Sequence, residues 1–227
     1  MTYSNMLNLA KYFGYYVLVI FLSCVAPNSH AGLIYCASPE GGRAVVHVNI
    51  EHDLSGGGLL GRIPPDQVTI HNPLRVYGLD LMTNFDSTFL SKAKFNCWEY
   101  LLLHGTNVIG GCAVFQKDLP PKKPDTTVLF NTGGSQETFV SIKIAENLPQ
   151  VKTNDYEVRT VCFLFVSFQA LWLHGKADDI IIPLPRDYPD TARYFTAYKP
   201  YNERQVAKFL RSMLRDKLLR SELPHRF

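Results

Sequence analysis

The chain has 227 residues, 46% of them apolar and 19% charged, with a net charge of +3 at pH 7. That balance fits one globular domain plus a targeting segment, and Gly 15 with Pro 14 excludes collagen-like, low-complexity and wholly disordered chains. So small a net charge gives no case for nucleic-acid binding, and the five cysteines lack zinc-ribbon spacing. The charge is uneven. Lys199, Arg204, Lys208, Arg211, Arg215, Lys217, Arg220 and Arg226 face only Glu203, Asp216 and Glu222, so a mildly acidic body ends in a basic segment.

Residues 1–31 have the order of a secretory signal peptide. Lys11 supplies the positive charge, and residues 12–22 an apolar run shorter than the roughly 20 residues of a spanning helix. Pro27-Asn28-Ser29-His30-Ala31 then offers small residues before Gly32. Phe21-Leu22-Ser23-Cys24 also reads as a loose lipoprotein box with Cys24 lipidated, and an uncleaved anchor is the third reading. Each exports residues 32–227 as a single domain, periplasmic or secreted, and the lack of an Asn-x-Ser/Thr sequon agrees with a bacterial source. Export leaves Cys36, Cys97, Cys112 and Cys162 as an even set in an oxidising compartment, so disulfides are expected. Three connectivities are open; in one of them the local pair Cys97–Cys112 closes a loop worth about 3 kcal/mol and leaves Cys36–Cys162.

Along the body, residues 45–52 alternate Val46, Val48 and Ile50 with His47, Asn49 and Glu51, predicting a half-buried strand. His47 and His52 then face opposite ways, so with Glu51 and Asp53 they read as surface groups, and no metal site is expected. Residues 55–61 form a glycine-rich loop without the Lys-Ser/Thr of a phosphate-binding loop. Short strands are expected at 67–70 and 74–77, a short internal helix at 96–104 closed by Gly105, and a strand at 111–116. A proline-stiffened loop follows at 119–125. Residues 127–130 and 138–144 read as a hairpin around Asn131-Thr132-Gly133-Gly134-Ser135. Residues 158–173, apolar on both parities, predict a central strand bent or broken near Ser167-Phe168-Gln169.

Asn202 and Gln205 form a capping box that opens an amphipathic helix over about 203–222, stopped by Pro224. Its apolar stripe is Val206, Phe209, Leu210, Met213, Leu214 and Leu218, expected in the core. Beside it run Arg204, Lys208, Arg211 and Arg215, a stripe suited to an unknown protein partner or an anionic membrane surface. The expected class is α+β: a mainly antiparallel β-sheet, the short internal helix and the C-terminal amphipathic helix. Leu101-Leu102-Leu103-His104-Gly105 and Leu171-Trp172-Leu173-His174-Gly175 look alike, but two short matches do not make a repeat.

Asn96-Cys97-Trp98-Glu99 is the sharpest chemical signal. A Cys entering a helix has its thiolate stabilised there, and a His on a later strand, here His174, is the usual base. The order resembles papain-like hydrolases of the peptidoglycan-amidase kind. That resemblance implies Cys97 as nucleophile, His174 as base, Asp178 or Asp179 orienting the imidazole, and an amide substrate in cell-wall peptide. The simpler reading makes Cys97 a disulfide partner with Trp98 filling the core. Tyr188, Tyr194, Tyr198 and Tyr201, interleaved with Arg186, Arg193 and Lys199, read as helix-to-sheet packing rather than a base-stacking surface. The sequence therefore favours an exported, disulfide-stabilised protein with a binding or accessory role and no cofactor; the cysteine hydrolase is the alternative.

Overall fold

One sheet carries the fold. The computed structural model describes residues 31–55, 60, 63–115, 127–130, 132–185 and 192–222, within which Gly32–Phe227 is one unit. Outside the described residues lie the expected signal segment with Cys24, the proline loop at 119–125, Arg186 and Tyr188, and Pro224. In chain order the strands are β1 (Leu33–Ile34), β2 (Val68–Ile70), β3 (Leu74–Gly78), β4 (Lys94–His104) and β5 (Asn107–Val114). They continue as β6 (Thr127–Phe130), β7 (Tyr156–Phe163), β8 (Phe168–Gly175), β9 (Asp179–Pro183) and β10 (Tyr201–Asn202). The helices are α1 (Gly42–Ser55), α2 (Thr132–Ala145) and α3 (Glu203–Glu222).

Across the sheet the order is β10-β9-β8-β7-β3-β4-β5-β6, with β1 beside β7 and β2 beside β4. Two antiparallel halves meet at a parallel β3/β7 pair, and β1 also runs parallel to β7. The class is α+β, but the sheet is mixed rather than mainly antiparallel. Register lines up Trp98, Arg75, Arg159, Trp172, Ile181 and Tyr201 on one face, here the front. On the front, α1 packs Val45, Val46 and Ile50 against Tyr100, Leu102 and Cys112. At the other end α3 packs Val206, Leu210 and Met213 against Phe163, Phe168 and Ile181. On the back, Leu74, Leu101, Val158, Leu171 and Leu173 lie with Ile142 and Ala145 of α2.

Three local expectations are corrected. Residues 96–104 are strand, not helix: front and back positions are both buried, so no polar alternation marks the strand. Residues 45–52 are helix, not strand. Val45, Val46, Asn49 and Ile50 are buried at helical spacing while Val48 is exposed, so tertiary packing overrides the local preference of β-branched residues. Residues 138–144 belong to α2 and form no hairpin with β6. Its buried face is Ser135, Thr138, Ser141, Ile142 and Ala145, a stripe of mostly small residues that carries little hydrophobic periodicity. It rests on β5, where Gly111 shares the back face with its register partner Leu101, and small residues on both sides permit close approach. Thr138 Oγ1 donates to Gly134 O at 2.9 Å, satisfying its hydroxyl within the helix.

The broken apolar stretch and the C-terminal helix are as expected, the helix stripe being buried only in part. The apolar stretch breaks between β7 and β8 at a 3-10 turn, Leu164–Val166, followed by Ser167 at φ 55°. Asn202 Oδ1 accepts from Gln205 N at 2.9 Å and Gln205 Oε1 from Asn202 N at 3.1 Å, closing the capping box on α3. Leu210 and Met213 are buried, Phe209 and Leu214 half-buried, Leu218 exposed. Arg204, Lys208, Arg211 and Arg215 are all exposed. Tyr194 donates to Asp216 of α3, and Tyr201 and Phe209 stack edge to face at 5.8 Å, so these tyrosines do seat the helix on the sheet.

Leu210→Ala should cost about 3 kcal/mol in chemical denaturation, because it opens a cavity under α3. Phe209→Ala, from a half-buried site, should cost less. Arg204→Gln, Lys208→Gln and Arg215→Gln together should change stability by less than about 1 kcal/mol.

Candidate functional site

The structure separates the residues of the expected hydrolase centre. Cys97 lies in β4 in register with Val76, on the back face, and across the sheet that row continues to Thr160 and Leu171, three positions short of His174. His174 faces the front, its ring 5.4 Å from that of Trp172. Cys97 is not at a helix N-terminus. Burial, with Glu99 and Cys162 adding to it, pushes its thiol up to about 12, which is the reverse of an activated nucleophile. Asp178 accepts from Tyr156 Oη at 2.7 Å; Asp179 is the carboxylate that accepts from His174 Nδ1, at 2.8 Å.

The structure shows no disulfide bond among Cys36, Cys97, Cys112 and Cys162. The faces exclude the local pairing and the one it would leave. Cys97 points to the back while Cys112 packs under α1 on the front, and Cys36 belongs to that front cluster while Cys162, between the front-facing Val161 and Phe163, points back. Sulfur atoms on opposite faces of a sheet cannot reach a bonding geometry. On α1, His47, Glu51 and His52 are exposed, and Asp53 Oδ2 accepts from Leu60 N at 2.9 Å.

What the sheet does bring together is a row of charge on the front face, between the footprints of α1 and α3. Arg75 Nη1 of β3 meets Glu157 Oε1 of β7 at 3.1 Å, and Arg159 Nη2 meets Glu157 Oε2 at 2.6 Å. The Arg159 guanidinium sits 4.8 Å from the Trp172 ring centroid and 5.2 Å from that of Tyr77, held by cation–π contact on two rings. Asp179 Oδ1 accepts from both His174 Nδ1 and Trp172 Nε1, the latter at 2.9 Å. Glu157 and His174 are direct register partners, so the ion bridge and the His–Asp pair are one cluster.

Solvent reaches it unevenly. The Arg159 side chain is 13% exposed, Arg75 40% and His174 42%. Burial alone would raise the Glu157 pKa, but the Arg159 hydrogen bond and the charges of Arg159, Arg75 and His174 outweigh it and hold the carboxyl below its ordinary value. The cluster thus presents two partly exposed groups, the Arg75 guanidinium and the His174 imidazole, each braced from behind by a carboxylate. Sequence reasoning reached His174 and Asp179 but missed Arg75, Glu157 and Arg159. The available signal was the charged parity of Glu157 and Arg159 at the start of an otherwise apolar strand. Comparison with known proteins finds no match among family models, curated proteins or solved structures.

Glu157→Gln should destabilise the protein by about 2 kcal/mol at neutral pH, since it leaves two guanidinium groups without their carboxylate. Because the folded pKa is depressed, this stabilisation is full above the unfolded value, about 4.3, and lost as pH falls through the folded one. Melting curves of wild type and variant should therefore converge in acid. Native alkylation should leave Cys97 and Cys112 unmodified, both thiols being pushed up to about 12 by burial; mass spectrometry reads the result.

Proposed function

We propose that the protein works by binding, taking a small ligand that carries a carboxylate or phosphate between Arg75 and His174. The observation that carries this reading is the bracing of both groups, Arg75 by Glu157 and His174 by Asp179. A guanidinium and an imidazole already held in place lose little side-chain freedom when an anion arrives, which favours affinity. Trp172 and Tyr77, clamped by Arg159, fix the floor beneath them.

Amide hydrolysis is the second reading, and the His174–Asp179 hydrogen bond favours it. A carboxylate on Nδ1 orients the imidazole and leaves Nε2 as a base. The described residues offer it no activated thiol: Cys97 is on the other face, and burial foremost raises the Cys36 thiol. Binding is therefore the reading with the fuller set of parts. The export expected of residues 1–31 would place that binding in the periplasm or outside the cell, and N-terminal sequencing of the exported chain should begin at Gly32.

A titration of the full chain with inorganic phosphate and with acetate, at constant ionic strength, tests the site. The His174 ring signals in NMR should shift saturably, with dissociation constants on the order of millimolar. Arg75→Ala should weaken binding at least about tenfold, the loss expected for one charge-assisted contact. Shifts that never saturate, or that persist unchanged in Arg75→Ala, overturn the reading. Amine release from cell-wall peptide that His174→Ala abolishes would replace it with hydrolysis.

A further inference from the structure

Large apolar side chains are exposed at one end of the sheet. Gly78, at the end of β3, is in register with Lys94, which begins β4, and with Cys162 near the end of β7, so the turns after β3 and β7 share that end. The first turn carries Leu81 and Met82, 52% and 91% exposed, and the second Leu164, 80% exposed. Leu81 and Leu164 line one open groove of about 450 Å³ together with Lys94 and Phe165. The C-terminal part of α3 reaches the same place, because Lys217 lies 4.8 Å over the Phe165 ring and donates to the Phe165 carbonyl. Next to it on the helix, Leu218 and Leu219 are 44% and 56% exposed.

Both turns are built to hold their apolar tips outward. Asp80 Oδ1 accepts from Met82 N at 2.9 Å, and Thr83 Oγ1 accepts from Asp80 N at 3.2 Å, fixing the first turn. The second is a 3-10 turn closed by Ser167 in the left-handed region. Cations stand at the tips: Lys94 lines the groove, bridged to Asp80 at 3.0 Å, and Lys217 lies over Phe165, with Arg215 and Arg220 also exposed on the same stretch of helix against Asp216. Leucine and methionine standing on separate turns make poor parts for a flat protein interface, which needs one continuous complementary area. They suit a fluid layer that closes around each tip, with cations at the level of lipid phosphates.

We propose that this end of the molecule docks on an anionic bilayer, Leu81, Met82, Leu164 and Leu219 entering the headgroup layer while Lys94 and Lys217 meet lipid phosphates. The proposal is independent of the ligand site, which lies on the front face of the sheet.

The test uses the full chain carrying Met82→Trp and vesicles with brominated acyl chains, so that quenching reports entry of the introduced indole. Trp98 and Trp172 are buried and supply the background. Quenching should appear on phosphatidylglycerol vesicles, be far weaker on phosphatidylcholine, and fall with salt. Adding Leu164→Glu and Leu219→Glu should raise the lipid needed for half-maximal quenching by about tenfold or more. Should that variant fail to fold, Lys94→Gln with Lys217→Gln replaces it, with weaker binding to phosphatidylglycerol expected. Sedimentation with vesicles without quenching overturns the proposal, because another part of the chain would then hold the lipid. Equal quenching on both lipids overturns the charge recognition. A dimer in ultracentrifugation that Leu164→Glu dissolves, with no quenching, assigns the surface to a second copy and overturns it as well.

Discussion

Glu157 solves a problem that the sheet itself creates. The parallel pairing of β3 with β7 sets Arg75 opposite Arg159 in register, two like charges side by side on one face, an arrangement that by itself opposes pairing. One oxygen of Glu157 takes each guanidinium, so a repulsive pair becomes a bridged triad. Arg159 is the more buried of the two arginines and also rests on Tyr77 and Trp172, so its charge is compensated on its edge and its face. Among the described strands the two antiparallel halves are hydrogen-bonded to each other at this strand pair. The electrostatic bridge and the sheet junction are therefore one interaction, and a change in either displaces the other.

The back of the sheet makes that junction reachable. After β6 the chain must cross the back as α2 and descend as β7 beside β3. The small-residue face of α2 lies on β5, where Gly111 faces back. Close approach there replaces the usual large apolar stripe as the source of contact, since dispersion depends on near distance as much as on side-chain size. The front is organised differently: α1 and α3 cover the two ends, and the middle strands carry ions where a third helix would need leucines. Covering the back with α2 and the front ends with two helices leaves one region of the sheet both rigid and wet enough to hold charge.

Legibility followed how much of the structural signal was local. The capping box of α3 and the apolar spacing behind it are complete within some twenty residues, so the helix was legible, although Leu218 of its stripe stays exposed. The break at Ser167 was legible for the same reason, as a polar interruption in an apolar run. β4 was misread because helices cover both its faces, which erases the alternation that identifies a strand. α1 was misread because its valines fit either period, and only the contact with Tyr100 and Cys112 decides which are buried. Cysteine parity could not give connectivity. An even count says nothing about sheet faces, and Cys97 lies on the face opposite Cys112 as Cys162 lies on the face opposite Cys36. The charged cluster on the front face depends on Arg75 and Glu157 meeting across 82 positions of sequence, a contact that no local pattern encodes.

The two Leu-x-Leu-His-Gly segments show the same limit from the other side. Both end a strand, both send the histidine to the front face, and both lead into a hairpin. β4 and β8 even run in the same direction, since each is antiparallel to one member of the parallel β3/β7 pair. Yet β5 lies outside β4 on one side of the sheet and β9 lies outside β8 on the other, so the hairpins turn opposite ways and no rotation superposes them. The histidines inherit unlike neighbours. His104, exposed at the end of β4, pairs with the neutral Gln67 at 3.1 Å, whereas His174 gains Asp179 from the returning strand and Glu157 from the sheet centre. The chemistry of each imidazole is thus set by which strand is placed beside it, and the parallel junction at Arg75 and Arg159 decides that placement.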